Sequence, residues 1–262
     1  MPENDRLSGC LDEINLEFVE REATPKLLMK LSIQLHLAGL SLSNTVSFLE
    51  VFGVDRVRST VHNWVHKADL QPETGRSPNH VAVDETVIQL DDEQYWLYAA
   101  VDPDSNDLLH TTLEPTRNNM FAGQFFAELR EKHDVDDAIF LVDGAPSLQR
   151  ACRKHGLDFK YERHGNRNSV ERVFREVKRR TASFSNCFSN AEAETADEWL
   201  RSFAFAWNQL YLNTAVRNVN SSHTYLTADS TTQVLKYTSM ASSMTSSLLT
   251  TAIYTQTDTA PL

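Results

Sequence analysis

HVAVDETVIQLDDEQYWLYAAVDPDSNDLLHTTLEP, residues 80–115, decides the fold. Residues 80–90, 95–102 and 107–115 are rich in β-branched and aromatic side chains, and short polar turns separate them, so they predict three consecutive strands. Working downstream, the pattern predicts a helix over 120–129, then a buried apolar strand in DAIFLVDG (137–144). A helix over 146–154, a short strand in DFKYE (158–162) and helices over 169–181 and 192–207 follow. Three strands, helix, strand, helix, strand, helix, helix is the order of an α/β domain with a mixed sheet flanked by helices.

Upstream, QPETGRSPN (71–79) is rich in turn formers and reads as a linker. Before it, residues 25–70 predict a small all-α unit. Leu27, Leu28, Leu31 and Leu35 give an amphipathic helix that Pro25 opens, a second helix covers about 43–52, Gly53 breaks it, and a third covers about 57–68. On that third helix Val57, Val61, Trp64, Val65 and Ala68 form one apolar stripe. Ser59, His62, Asn63, His66 and Lys67 fall opposite, with Arg58 nearby. Short helices around a glycine turn, the last presenting hydrogen-bonding side chains, are the layout of a helix-turn-helix, although an ordinary helical hairpin has the same pattern. His62 and His66 have the i,i+4 spacing of metal ligands, but with no third ligand nearby they read as a solvated pair.

The 262 residues carry 25 Lys and Arg against 36 Asp and Glu, a net charge of −11, and 41% are hydrophobic. That apolar share excludes wholesale disorder. No apolar run is long enough for a membrane span, and the polar, acidic start MPENDRLSGC has no signal-peptide pattern, so a cytoplasmic protein is expected. Three isolated cysteines, Cys10, Cys152 and Cys187, make neither a disulfide framework nor a CxxC zinc site. The charge is unevenly spread: residues 150–180 hold 11 basic and 4 acidic residues, +7 in all, so the remainder carries −18. Such a block grips a polyanion locally or is simply solvated. After Asn208 the chain turns Ser/Thr-rich and nearly uncharged, which predicts a poorly ordered tail over 208–262.

Three carboxylates stand where chemistry can be done. Asp84 lies among Val81, Val83, Val87 and Ile88, where a carboxylate is costly without a partner. Asp143 ends the apolar strand IFLVDG, and Glu171 lies in the first turn of RNSVERVFREVKRR. Each has a plainer role: a solvent-facing strand residue, a turn former before Gly144, and the N3 position of a capping box opened by Asn168. Together, two strand carboxylates and one on a following helix converge on one sheet edge, as hard ligands for Mg²⁺ or Mn²⁺, and two such ions stabilise both oxygens of a phosphoryl displacement. On the last helix wheel Val170, Val173, Phe174 and Val177 face the core. Glu171, Arg175 and Lys178 share a flank, with Arg172 and Arg179 further round and Arg180 ending the basic run, a cationic setting for a nucleic-acid backbone.

VAVDETVIQL, IFLVDGAPSLQ and RNSVERVFREVKRRT, with GLSLSNTVSFLEVFGV, RSTVHNWV and the PTRN of 115–118, resemble the insertion-sequence DDE transposases of the IS-six family, in particular archaeal, haloarchaeal-like members. The resemblance covers about residues 25–207. It implies an N-terminal arm (1–24), a helix-turn-helix DNA-binding domain (25–70), the linker (71–79) and an RNase-H-like catalytic domain (80–207) with Asp84, Asp143 and Glu171 as the DDE triad. It also implies cleavage at transposon ends and transfer of the 3′-hydroxyl into target DNA, two Mg²⁺ or Mn²⁺ ions, and work on double-stranded DNA as at least a dimer at the nucleoid. The 27 residues between Asp143 and Glu171 are fewer than the wider family's usual spacing, with Glu176 as the fallback ligand. The rival readings are an inactive or domesticated DNA-binding protein, an RNase-H-like nuclease without strand transfer, and an interaction protein whose basic helix binds an acidic partner.

Overall fold

A computed structural model of the chain describes residues 11, 13–19, 23–90, 92–162, 165–183 and 192–219. Three helices come first: α1 (Lys26–Ala38), α2 (Leu42–Val51) and α3 (Arg58–Lys67). The Ser41 hydroxyl caps α2 by accepting the Asn44 N–H at 3.1 Å. Gly53 turns the chain after α2 at φ +72°, a backbone region that side-chain-bearing residues rarely adopt. Val61, Trp64, Val65 and Ala68 are buried as the stripe on α3 requires, but Val57 is 63% exposed. It stands at the extended N-cap, before the helix begins, so the helical wheel does not govern where it points.

The sheet has five strands: β1 (His80–Leu90), β2 (Glu93–Val101), β3 (Leu108–Glu114), β4 (Ile139–Val142) and β5 (Phe159–Tyr161). Their spatial order is β3-β2-β1-β4-β5. The first three are antiparallel neighbours, and β4 and β5 run parallel to β1. This is the mixed sheet flanked by helices that the element order predicts. One face packs α4 (Asn119–Lys132) and α5 (Pro146–His155) against Val81, Val83, Tyr98 and Phe140. The other packs α6 (Asn168–Ser183), entered by a 3₁₀ turn at Gly165–Arg167, and α7 (Ala193–Val219) against Ala82, Leu97, Ala99 and Leu141.

That second core does not stop at the sheet. Ile33, Leu37, Leu49, Val61 and Trp64 of the helical unit belong to the same apolar cluster as Val173, Trp199 and Phe203, and so do Leu11, Ile14 and Leu16 of the arm. The helices and the sheet form one compact unit reaching to Arg217. The 71–79 stretch has no helix or strand, yet it is fastened: the Gly75 N–H donates to the Lys132 carbonyl at 2.7 Å, and the Arg76 carbonyl accepts from the Asp134 N–H at 2.8 Å. The change of composition at Asn208 falls inside α7, whose backbone continues to Val219; residues 220–262 of the expected tail lie outside the described residues. Among the described residues no helix is long and apolar enough to cross a membrane.

Candidate active site and nucleic-acid face

Strand alternation and register position the first two carboxylates. Ala82 pairs with Leu141 in the parallel β1–β4 ladder, and both belong to the α6-side core. Continuing that register by two residues sets Asp84 level with Asp143 on the same face of the sheet, just beyond the end of β4. The Asp143 Oδ1 accepts the Ala145 N–H at 2.7 Å, and the Gln149 side-chain amide donates to the Asp143 carbonyl at 3.1 Å, so the residue is fixed in the turn that opens α5. Its role as a turn former and its place beside Asp84 are compatible.

Glu171 comes to the site through Arg167. The Arg167 Nη1 donates to Asp84 Oδ2 at 2.5 Å and its Nη2 donates to Glu171 Oε1 at 3.1 Å. The guanidinium is 10% exposed and the Glu171 side chain 46%. Asp84 Oδ1 accepts the Glu85 N–H at 3.0 Å. Burial pushes the Asp84 carboxyl above the ordinary aspartate range; the charge of Asp143 adds to the rise and Arg167 opposes it. Three hard oxygen donors, two of them already gripping a cation, suit a divalent ion. As they stand, however, no three acidic, His or Cys side chains among the described residues close on a single point. Arg167 occupies the position between Asp84 and Glu171.

Sequence reasoning missed Arg167, although its i,i+4 spacing to Glu171 is the signal of an ion pair. It also missed Glu85. Val81 and Val83 belong to the α4-side core, and alternation turns Glu85 to that face as well. The Glu85 side chain is 2% exposed and ion-paired to Arg117 of the PTRN stretch, whose guanidinium lies 5.2 Å over the Trp96 ring. Burial pushes the Glu85 carboxyl up to about 7 against the pull of Arg117, with Asp84 and Asp143 contributing.

The basic residues of α6 divide. Arg175 and Lys178 are exposed on the flank that carries Glu171, and Arg172 is exposed further round the helix. Lys178 Nζ donates to Thr86 Oγ1 at 2.6 Å, two residues along β1 from Asp84 on the same face, and Arg172 donates to Asn106 Oδ1 at 2.9 Å. Arg179 is exposed but donates to both Glu176 oxygens. Arg180 is a correction to the expected DNA surface: it is 3% exposed, its Nε donates to Glu176 at 2.8 Å, and its guanidinium lies 5.1 Å over Phe203. It follows the buried Val173 and Val177 at helical spacing and so belongs to the inward stripe. Glu176, the fallback ligand, is committed to those two arginines, which bring its carboxyl below the ordinary range although burial works the other way.

On α3, Arg58, Ser59, Asn63 and Lys67 are exposed and His62 is half-buried. His66 departs from the solvated pair: its Nδ1 is hydrogen-bonded to Glu198 Oε2 of α7 at 2.9 Å, and its ring lies 4.3 Å from that of His62. Burial lowers the basicity of His62, and the neighbouring His66 adds to the effect.

The family model described as a DDE domain, of the IS240 transposase type, matches residues 79–208, which span all three carboxylates. An uncharacterized protein of Methanocaldococcus jannaschii, MJ0017, is 31% identical over 177 residues, 66% of this chain and 82% of that one. Among solved structures, the HTLV-2 integrase catalytic core domain in complex with magnesium is similar at 14% identity and a TM-score of 0.38, over 49% of this chain and 85% of that one. The catalytic core domain of BIV integrase is similar at 14% and 0.36, over 63% and 97%.

Proposed function

The chain belongs to the IS6 family of DDE transposases by its DDE domain, and from that membership and the geometry of the site we propose that it cuts DNA at insertion-sequence ends and joins the freed 3′-hydroxyl to target DNA. The observation that supports this reading is that the β1–β4 register, continued by two residues, sets Asp84 level with Asp143, while Glu171 is tied to Asp84 through one guanidinium. Asp84, Asp143 and Glu171 would hold Mg²⁺ or Mn²⁺, which when bound supplies the charge that stabilises the attacking and leaving oxygens of an in-line displacement.

The remaining work falls to the protein's own side chains. Arg175 and Lys178 on the flank of Glu171, with the exposed Arg172 beside them, neutralise backbone phosphates and set the strand's register without reading its sequence. Arg58, Ser59, Asn63 and Lys67 present a face suited to the major groove, where Asn63 has the geometry for a bidentate contact to adenine. The shared apolar core between the helical unit and the sheet supports a fixed distance between end recognition and cleavage. Both ends of an element must be cut and joined, so the reading carries with it a dimer or larger assembly.

The test is incubation of the purified protein with Mg²⁺ and DNA bearing the inverted repeats that flank its gene. Cleavage that exposes a 3′-hydroxyl, followed by joining to a second duplex, is expected. Cleavage without joining would make the protein a nuclease, and specific binding without cleavage a DNA-binding derivative of a transposase.

A further inference from the structure

Arg167 is where the site holds more than the triad accounts for. It is a buried arginine whose two terminal nitrogens are divided between two of the three proposed metal ligands. Resting on the DDE reading above, we infer that Arg167 and a divalent ion are alternative occupants of the same carboxylate oxygens, so that metal loading is an exchange of one cation for another. Asp84 Oδ2 and Glu171 Oε1 are held apart by the width of a guanidinium, one on Nη1 and the other on Nη2. A Mg²⁺ ion requires its oxygens to converge on one point at about 2.0–2.1 Å. Asp84 Oδ2 and Glu171 Oε1 would have to leave the guanidinium to meet on one ion. Asp84 Oδ1 accepts the Glu85 N–H, so Oδ2 is the oxygen that Arg167 takes up.

Arg167 is therefore a positioning residue that keeps Asp84 and Glu171 paired and offsets part of their charge, and it sets how readily they release to a metal. Its backbone suits such a swing. It ends a 3₁₀ turn that begins at Gly165, at φ +92°, directly before α6 carries Glu171. The turn is anchored at its other end, where the Asn166 N–H donates to Glu162 Oε1 at 2.7 Å, so displacement of the side chain does not require the turn to unravel.

The experiment uses the full chain and Mn²⁺ alone, with binding read from the electron paramagnetic resonance signal of the free ion. Arg167→Gln keeps a hydrogen-bonding side chain but removes the charge. It is expected to bind Mn²⁺ roughly tenfold more tightly than the wild type, the scale of one lost charge contact at a partly screened distance. An unchanged or weaker affinity in a folded Arg167→Gln would overturn the exchange. A second measurement works on the wild type and does not depend on that variant folding: phenylglyoxal modification mapped by mass spectrometry. Arg167 is expected to be protected without metal and to become reactive when Mn²⁺ saturates the site; equal protection at saturation overturns the proposal. Asp143→Asn separates this inference from the reading beneath it, because Asp143 does not touch Arg167 in the hydrogen bonds described. Loss of Mn²⁺ binding in that variant, with no effect of Arg167, rejects the exchange alone. Wild-type binding that is absent, or indifferent to Asp143→Asn, rejects the metal site and the exchange with it.

Discussion

Asp84 and Glu85 are neighbours on one strand, carry the same functional group, and meet opposite fates. Asp84 faces α6, level with Asp143, and is held by an arginine that also holds Glu171. Glu85 faces the α4 side, nearly sealed, and is held by Arg117. The difference follows from the period of two along a strand, which sends adjacent side chains to opposite faces. It teaches that a buried, arginine-paired carboxylate is not by itself a catalytic one. Asp84 is distinguished by its company, two further carboxylates on the same face, whereas Glu85 has a single cation and serves to fix the PTRN stretch to β1.

The largest expected effect sharpens that contrast. Asp84→Asn should lower cleavage by more than about a thousandfold, since loss of one preorganised electrostatic group already costs roughly 10²–10³ in rate. Glu85→Gln should leave the rate within a fewfold of the wild type. Comparable losses in both variants, with both folded, would break the distinction between the two faces.

Next in size is the division within α6. Arg180→Ala should destabilise the fold by about 2–4 kcal/mol, because it removes a buried ion-pair partner and its packing on Phe203. Its effect on the salt dependence of DNA binding should be nil. Lys178→Ala should do the reverse, leaving thermal stability nearly unchanged and lowering the salt slope by about one unit on any sequence. A salt slope that falls in Arg180→Ala would return that residue to the DNA surface.

Most of the architecture was legible in the sequence because period and punctuation agree: every strand and helix expected between 80 and 207 is present, shifted by a few residues at its ends except for the last helix, which runs on twelve residues to Val219. The sequence also singled out Asp84, Asp143 and Glu171, but not the arginine that stands between two of them. What was not legible depends on contacts across long stretches of chain. Nothing local to Arg180 says that Phe203 will lie over its guanidinium, and nothing near His66 points to Glu198, 132 residues away. Arg167 and Glu85 left traces, an i,i+4 spacing in one and an inward strand position in the other, which become informative once the sheet assigns faces to β1.

A smaller effect concerns pH. The Glu85 carboxyl is raised by burial to about 7 in the folded protein, above its ordinary unfolded value near 4.5. The native state therefore holds the proton more tightly, and stability present below about pH 4.5 is lost as pH rises through about 7. In urea melts across that window Glu85→Gln should show a shallower decline than the wild type. Glu85→Ala should cost about 1–3 kcal/mol by leaving Arg117 without its acceptor. An identical decline in wild type and Glu85→Gln would mean that the pair does not titrate as its burial implies.

The smallest effect lies on α3. His66→Ala should cost only about 0.2–1 kcal/mol of stability, as expected for a partly exposed pair. Its loss should not alter preference among DNA sequences. Asn63→Ala should weaken specific binding by about 1–3 kcal/mol without affecting stability. Interchanged outcomes would put the recognition face on the wrong side of the helix.

The most direct test of the DDE site sets Glu171→Gln beside Glu176→Gln in one assay, cleavage and strand transfer on element-end DNA in Mg²⁺. Glutamine preserves the shape of either residue and can serve a helix cap, so a capping role for Glu171 would tolerate it. A metal ligand would not. Glu171→Gln is expected to fold, bind the ends and lose both activities, while Glu176→Gln retains them with reduced stability. Near-normal chemistry in Glu171→Gln, with loss in Glu176→Gln, would overturn the assignment and move the third carboxylate five residues along α6, to a different face of the helix.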